Sequence, residues 1–552
     1  MSESIENLLT QFRDKELVLP EFQREFTWSR TQVKDLFTSL FKDYPTGSLL
    51  IWKTDSPPKI KNDAYNLENY VKVKVLLDGQ QRLTSLYLNV IGEVPPFYKK
   101  EEIKENYFLL YFNLKTGEFR YYRKNQMENN PFWYSVIELF NNPPAVFKLV
   151  NSLEVDDKDK VGNLIENNLN KIRNILNKDY PIQEVPADSK LREAIKVFDL
   201  INSKGTPLTN ADISLAYMTA EWPKIRRKFK DKLNKLSNEG FNFDLTFMTR
   251  AMVGILSGRG SLKQFISTNI DKDVTETKLK AYWEKLDKIL NYLVSFLKSK
   301  AYIIGTSDLN TPYVLIPIIV YLSKNESFND KDERFILYWM YGALYQKRFS
   351  SSLETSLEQD VNTIIEANNP QALIDNLKEE EGDPNLTEGS LDMRGVGHPL
   401  YNMMCVVIRS KGAVDWNNGL ILGDTTGREF KIERHHIFPR SVLTENGWDT
   451  GNNHYDKKRV NEIANRIPLT KDGNMNIFNK EPEEYLPKVE KGYRGVLEKA
   501  LIPMDPDLWK VKNYEEFLTQ RRKLIAQGIN DFMNNFLTDN NFNEEIYREN
   551  VN

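Results

Sequence analysis

The chain has 552 residues, of which 40% are hydrophobic, 12% aromatic and 28% charged; this is too long for one core, which stops growing near ~250–300 residues, and too apolar for a disordered or fibrous protein. Lys and Arg number 75 against 78 Asp and Glu, a net charge of −3, so no global basic field announces a nucleic-acid partner, although a local patch can serve an enzyme that meets DNA briefly. The single cysteine, Cys405, excludes an intramolecular disulfide and any multi-cysteine zinc site.

In chain order, the N-terminal stretch MSESIENLLTQFRDKE is charged throughout and lacks the basic start and apolar centre of a signal peptide, so the protein is expected in the cytoplasm. The spacing of Val33, Leu36, Phe37, Leu40 and Phe41 predicts a helix over Thr31–Lys42, while Gly47–Trp52 and Val71–Leu77 are short strand-like runs. From about residue 190 the pattern turns helical, through Leu191–Leu200, Ala211–Met218, Lys224–Lys235, Lys278–Ser299, Pro312–Ser323, Glu333–Tyr345 and Leu353–Asn368. Lys224–Lys235 carries seven Lys or Arg against Asp231 alone, either a solvated helix face or a patch for DNA. The longest apolar run, Tyr313–Leu322, reaches about half of the roughly 20 residues that a membrane-spanning helix needs, so it predicts a buried element and no membrane partner. Residues 378–396, acidic and rich in turn formers, read as a linker. Beyond them Gly419–Leu422 and Glu429–Phe438 resemble strands, helices return near Lys457–Ala464 and Asn513–Phe536, and no internal repeat is evident. The expected organisation is a multidomain α+β protein with an N-terminal domain over 1–215, a helical domain over 216–377, a linker over 378–396 and a mostly helical C-terminal domain over 397–552.

Two segments carry chemistry. Of four histidines, His435, His436 and His454 fall within twenty residues, and histidine is both the usual proton-transfer group near neutral pH and a common metal ligand. Adjacent histidines on a strand face opposite sides, so one can ligate a metal while the other polarises water. A satisfied core pair is the bland alternative, and a zinc set with His454 and Cys405 lacks zinc-finger spacing. The second segment, Val71–Leu86 (VKVKVLLDGQQRLTSL), reads as a strand, a turn at Asp78–Gly79 and a helix start. Gly79 allows close backbone approach, helix-start amides bind anions, Arg82 can fork onto a phosphate and Asp78 can hold a metal or water. Spacing alone leaves a phosphate site and a structural turn both open; no Walker A loop is present. Asn202 and Lys204 in FDLINSKGTPL can equally cap a helix turn that closes at Gly205.

Arg434–Ser441 (RHHIFPRS), with Asn461, Asn465 and Asn474 in VNEIANRIPLTKDGNMNIFNKEPEEYL, resembles the HNH, or ββα-metal, nuclease motif of restriction-associated enzymes. The resemblance implies His436 as general base, His435 and Asn474 as metal ligands, and Asn465 orienting the base and tying the loop. The resemblance implies a divalent metal, Mg²⁺ or Mn²⁺; many HNH enzymes carry a carboxylate where His435 stands, and the softer imidazole leans selectivity from Mg²⁺ toward Mn²⁺, Ni²⁺ or Co²⁺. At the other end, Leu19–Arg24 (LPEFQR) with Trp28, Tyr44–Ser48 (YPTGS), Asp78–Arg82 (DGQQR) and FDLINSKGTPL followed by Asp212 are similar, in order, to the N-terminal domain of GmrSD-type restriction enzymes. That likeness implies a ParB- and sulfiredoxin-like fold in which Asp78, Gly79, Gln80, Gln81, Arg82, Gln23, Arg24 and Asn202 bind and hydrolyse a nucleoside triphosphate, whether GTP, ATP or another. Together the two ends imply a modification-dependent DNA endonuclease of anti-phage defence, with modified phage DNA as partner; a homodimer is one assembly open to it. Two rivals share these features: a nucleotide-dependent DNA-binding regulator with a dormant HNH-like segment, and an RNA-cleaving abortive-infection effector.

Overall fold

Elements of the first 200 residues alternate between strands and helices, and the remainder is almost wholly helical. The computed structural model describes residues 1–55, 57–63, 72–201, 209–268, 274–422, 432–470 and 479–538. They form two units, one of residues 1–226 with 274–276 and the other of residues 227–273 with 277–552.

In the first unit the chain runs β1 (Ser2–Ser4), α1 (Ile5–Arg13), β2 (Leu17–Val18), α2 (Arg30–Phe41), β3 (Leu49–Thr54), β4 (Val73–Asp78), α3 (Gln80–Val90), β5 (Leu110–Asn113), β6 (Glu118–Tyr121), β7 (Trp133–Ser135) and β8 (Asp179–Val185). One sheet has the order β1-β8-β3-β4-β2, in which β8 is parallel to β3 and β2 to β4 while the other pairs are antiparallel. Its middle strand β3 is buried at every residue but Lys53, so it reads as a continuous apolar run and not as an alternation. The helix predicted at Thr31–Lys42 is α2: Ser29 and Gln32 cap each other's backbone at its start, and the five expected apolar residues are all buried. A second sheet, β6-β5-β7, packs Phe112 and Phe119 against Phe37 and Phe41 of α2, with ring centroids 5.0–6.0 Å apart.

In the second unit Leu245–Ser257, Leu315–Asn325 and Leu353–Ala367 pack together, with Asp330–Tyr345 against Pro370–Glu381. The apolar run at Tyr313–Leu322 is a short 3₁₀ turn leading into the second of these helices, buried on every side from Leu315 to Ser323. Among the described residues no helix is long and apolar enough to cross a membrane. Two bidentate ion pairs lie in this interior, Arg348 with Asp360 and Arg409 with Asp308, all four bonds at 2.8 Å. The basic stretch is the helix Ile225–Asn238, and it is not evenly solvated: Arg226 and Lys232 are buried, and Lys232 pairs with Asp287 at 2.9 Å. Residues 378–396, read as a linker from composition, are tied in by a fully buried Leu391, by Asp392 accepting from Arg459 and Arg522, and by the Arg394 carbonyl accepting from Ile463.

Downstream come α4 (Pro399–Ser410), β9 (Ile432–His436), α5 (Arg440–Glu445), α6 (His454–Val460), β10 (Arg466–Thr470), α7 (Pro482–Gly492) and α8 (Tyr514–Asn535). His398 caps α4, its Nδ1 accepting from the Leu400 N–H at 3.3 Å. Burial, with Lys347 and Arg394 nearby, pushes this imidazole down to about 4 from its ordinary 6.5. A folded-state value below the unfolded one means the stabilisation is complete above pH ~6.5 and is lost as pH falls from there toward 4. Urea unfolding across that window should show this acid loss, and His398→Asn, which keeps a capping acceptor but cannot titrate, should reduce it. His436, depressed in the same direction, contributes to what remains.

Candidate functional site

β9 and β10 form an antiparallel ribbon in which His436 lies opposite Arg466 and His435 opposite Ile467. Side chains alternate along a strand, so His435 turns inward, 6% exposed, while His436 is half-buried on the other side. Both still line a cleft of about 640 Å³ with Arg434, Pro439, Arg440 and Asn479, at the point where β9 ends and α5 begins. Two arginines and one carboxylate, Glu445, edge that cleft among the described residues, a balance suited to an anion.

The strand end is held by Asn465, which has no exposed surface. Its Oδ1 accepts from the Phe438 N–H at 2.8 Å, and its Nδ2 donates to the carbonyls of Phe438 and Val460 at 3.1 and 3.0 Å. Tyr485 of α7 donates to the Ile437 carbonyl at 2.6 Å, and Phe438 packs between Tyr514 and Phe517 of α8. Asn465 thus ties the loop, and among the described residues its side chain makes no hydrogen bond to the imidazole it was expected to orient. That contact comes from Asn461, whose Oδ1 is 3.2 Å from His436 Nε2. Burial is the main cause that lowers the His436 ring to about 4, with the Arg466 charge second and the Asn461 bond opposing, so the ring is unprotonated near neutral pH. Asn474, the second expected metal ligand, lies outside the described residues. Among those residues no three His, Cys, Asp or Glu side chains cluster to hold a metal. Cys405 is buried and its thiol is pushed up to about 11 by that burial, which makes it inert.

The first unit brings Asp78, Gly79, Gln80, Gln81, Arg82, Gln23 and Arg24 to one corner, where β4 hands over to α3; Asn202 lies outside the described residues. Gly79 has φ +98°, and a Cβ there would meet Leu49 Cδ2 at 2.1 Å, so the turn admits glycine alone. Most of the polar side chains are committed to backbone. Gln80 donates to the Arg24 carbonyl, Gln81 donates to that of Glu25 and accepts from Thr27 and Trp28, and Gln23 donates to that of Leu77. The Arg82 guanidinium, read as free to fork onto phosphate, donates to the carbonyls of Thr46 and Ser48 and pairs with Asp78 at 2.9 Å. The sequence signatures LPEFQR, YPTGS and DGQQR are therefore one hydrogen-bonded assembly. Sequence reasoning missed Lys61, which is buried beside it with Nζ 2.9 Å from Glu25 Oε2, 3.0 Å from the Arg24 carbonyl and 4.6 Å above the Tyr98 ring. Burial lowers this ammonium to about 8 despite Glu25. No motif marks Lys61, since it sits in an unpatterned stretch and only the fold brings it here.

An uncharacterized protein of Methanocaldococcus jannaschii, MJ0686, is 23% identical to this chain, over 99% of this chain and 97% of its own length. Residues 5–219, which hold nearly all of the first unit's strands and its corner, match the family model described as the N-terminal domain of GmrSD restriction endonuclease.

Proposed function

We propose that the chain is a metal-dependent, modification-dependent DNA endonuclease of anti-phage defence, working in the cytoplasm. Residues 397–552 cut, the N-terminal domain senses DNA, and triphosphate binding or hydrolysis around Asp78–Arg82 regulates the cut. The observation that carries this reading is the placement of His436 at the end of β9, bonded to Asn461 and lining a cleft edged by Arg434 and Arg440.

In this reading His436 takes a proton from the attacking water, and the two arginines attract the phosphodiester. His435 and Asn474 would hold one divalent ion, and an imidazole with an amide oxygen is a donor set that suits Mn²⁺, Ni²⁺ or Co²⁺ as well as Mg²⁺. Bound there, such an ion would supply charge stabilisation to the scissile phosphate. Antiparallel strands followed by a helix, as in β9, β10 and α7, support the ββα reading. On the nucleotide side the support is the family match and the glycine turn that starts α3.

The test is cleavage of a panel of modified phage DNAs, plain DNA and RNA by the full chain, with and without each triphosphate. Cleavage restricted to modified DNA and altered by one triphosphate is the expected outcome. Binding without cleavage would favour the dormant regulator, and cleavage of RNA alone the abortive-infection effector.

A further inference from the structure

We propose that Asn461 and Arg466 are positioning residues that lock His436 in the Nε2–H tautomer and so make Nδ1 its basic atom. The proposal rests on the reading of His436 as general base and adds how that base is aimed.

The Asn461 amide can face only one way. Its Nδ2 donates to the Lys457 carbonyl at 2.7 Å, and its Oδ1 accepts from Arg466 NH2 at 2.6 Å. A flipped amide would set its NH₂ against the guanidinium, donor to donor, and its oxygen against the carbonyl, acceptor to acceptor. Both neighbours therefore enforce the same orientation, and Oδ1 is the atom 3.2 Å from His436 Nε2. An acceptor at that place requires a proton on Nε2, because neutral imidazole carries its single N–H on one nitrogen only. Arg466 is itself held, with NH1 donating to the Arg434 carbonyl at 2.8 Å, and the β9–β10 register places it opposite His436. Among the described residues Nδ1 of His436 makes no hydrogen bond. Its lone pair is thus left for a proton from water.

A guanidinium suits this role better than an ammonium would. Its planar fork donates to two oxygens at once in fixed directions, so the strand carbonyl and the amide are set by one group that does not lose its proton.

The test uses full-length protein with ¹⁵N-labelled histidine. Only four rings are present, and the His436 signals are assigned by their loss in His436→Ala. At pH 8 the wild type should show His436 as the Nε2–H tautomer, and Arg466→Met, which keeps the aliphatic stem, should give a mixture of tautomers. Nicking by Arg466→Met should fall about tenfold in kcat with KM unchanged, and Arg466→Lys should recover part of the loss. Asn461→Leu should fall by a similar factor, and Arg466→Met added to it should cost nothing more, since the two act through one bond. An Nδ1–H ring in the wild type, an unchanged ring in Arg466→Met, or losses that multiply in the double variant would each overturn the proposal. Undiminished nicking by His436→Ala would instead overturn the general-base reading, and the ring spectra would still decide the lock.

Discussion

His436→Ala should lower DNA nicking by about 10²–10⁴-fold, the usual consequence of losing a general base, while leaving the protein folded. The side chain is half-buried and its one hydrogen bond among the described residues goes to Asn461, which keeps Arg466 and the Lys457 carbonyl as partners. The urea unfolding midpoint should therefore barely move. A pure preparation that nicks at the wild-type rate would remove His436 from the reaction.

Asn465→Ala should behave in the opposite way, failing first in stability. The substitution strips partners from the Phe438 N–H and from two carbonyls around a side chain with no exposed surface. A buried group left without a partner costs about 1–3 kcal/mol, so a loss of at least about 3 kcal/mol is expected in urea unfolding. Nicking should fall with it, because the same bonds fix where β9 ends. Lost stability with lost cleavage at Asn465, against lost cleavage alone at His436, separates the residue that builds the site from the one that works in it. A stable Asn465→Ala protein with full activity would contradict both roles.

Long periodic stretches were legible from sequence, and α2 and the buried helix Leu315–Asn325 fall where the apolar spacing places them. The second sheet was not, because β5, β6 and β7 are three or four residues long and too short for any period to register. Nor was β8, whose Pro181 and exposed Asp179 and Gln183 make it look like a loop until β1 and β3 close on its edges. At the candidate site the paired histidines stood out by type and spacing alone. What sequence could not give was the register that sets Arg466 across from His436, since thirty residues separate them and the pairing depends on where each strand begins. The DGQQR corner shows the same limit: chemistry leaves Arg82 open to a phosphate or to a structural turn, and its donors meet the Thr46 and Ser48 carbonyls, a choice made by the fold of the YPTGS turn.

In the proposed function this chain cuts DNA with a divalent ion at the β9–β10 ribbon. Supercoiled DNA prepared from a phage with modified bases, incubated with the full-length protein in Mn²⁺ or Mg²⁺ and again in EDTA, tests it most directly. Relaxed and linear products that appear with metal, vanish with EDTA and are absent for His436→Ala are predicted. Intact DNA with every metal and every triphosphate, from folded protein that binds the same DNA, would contradict the claim.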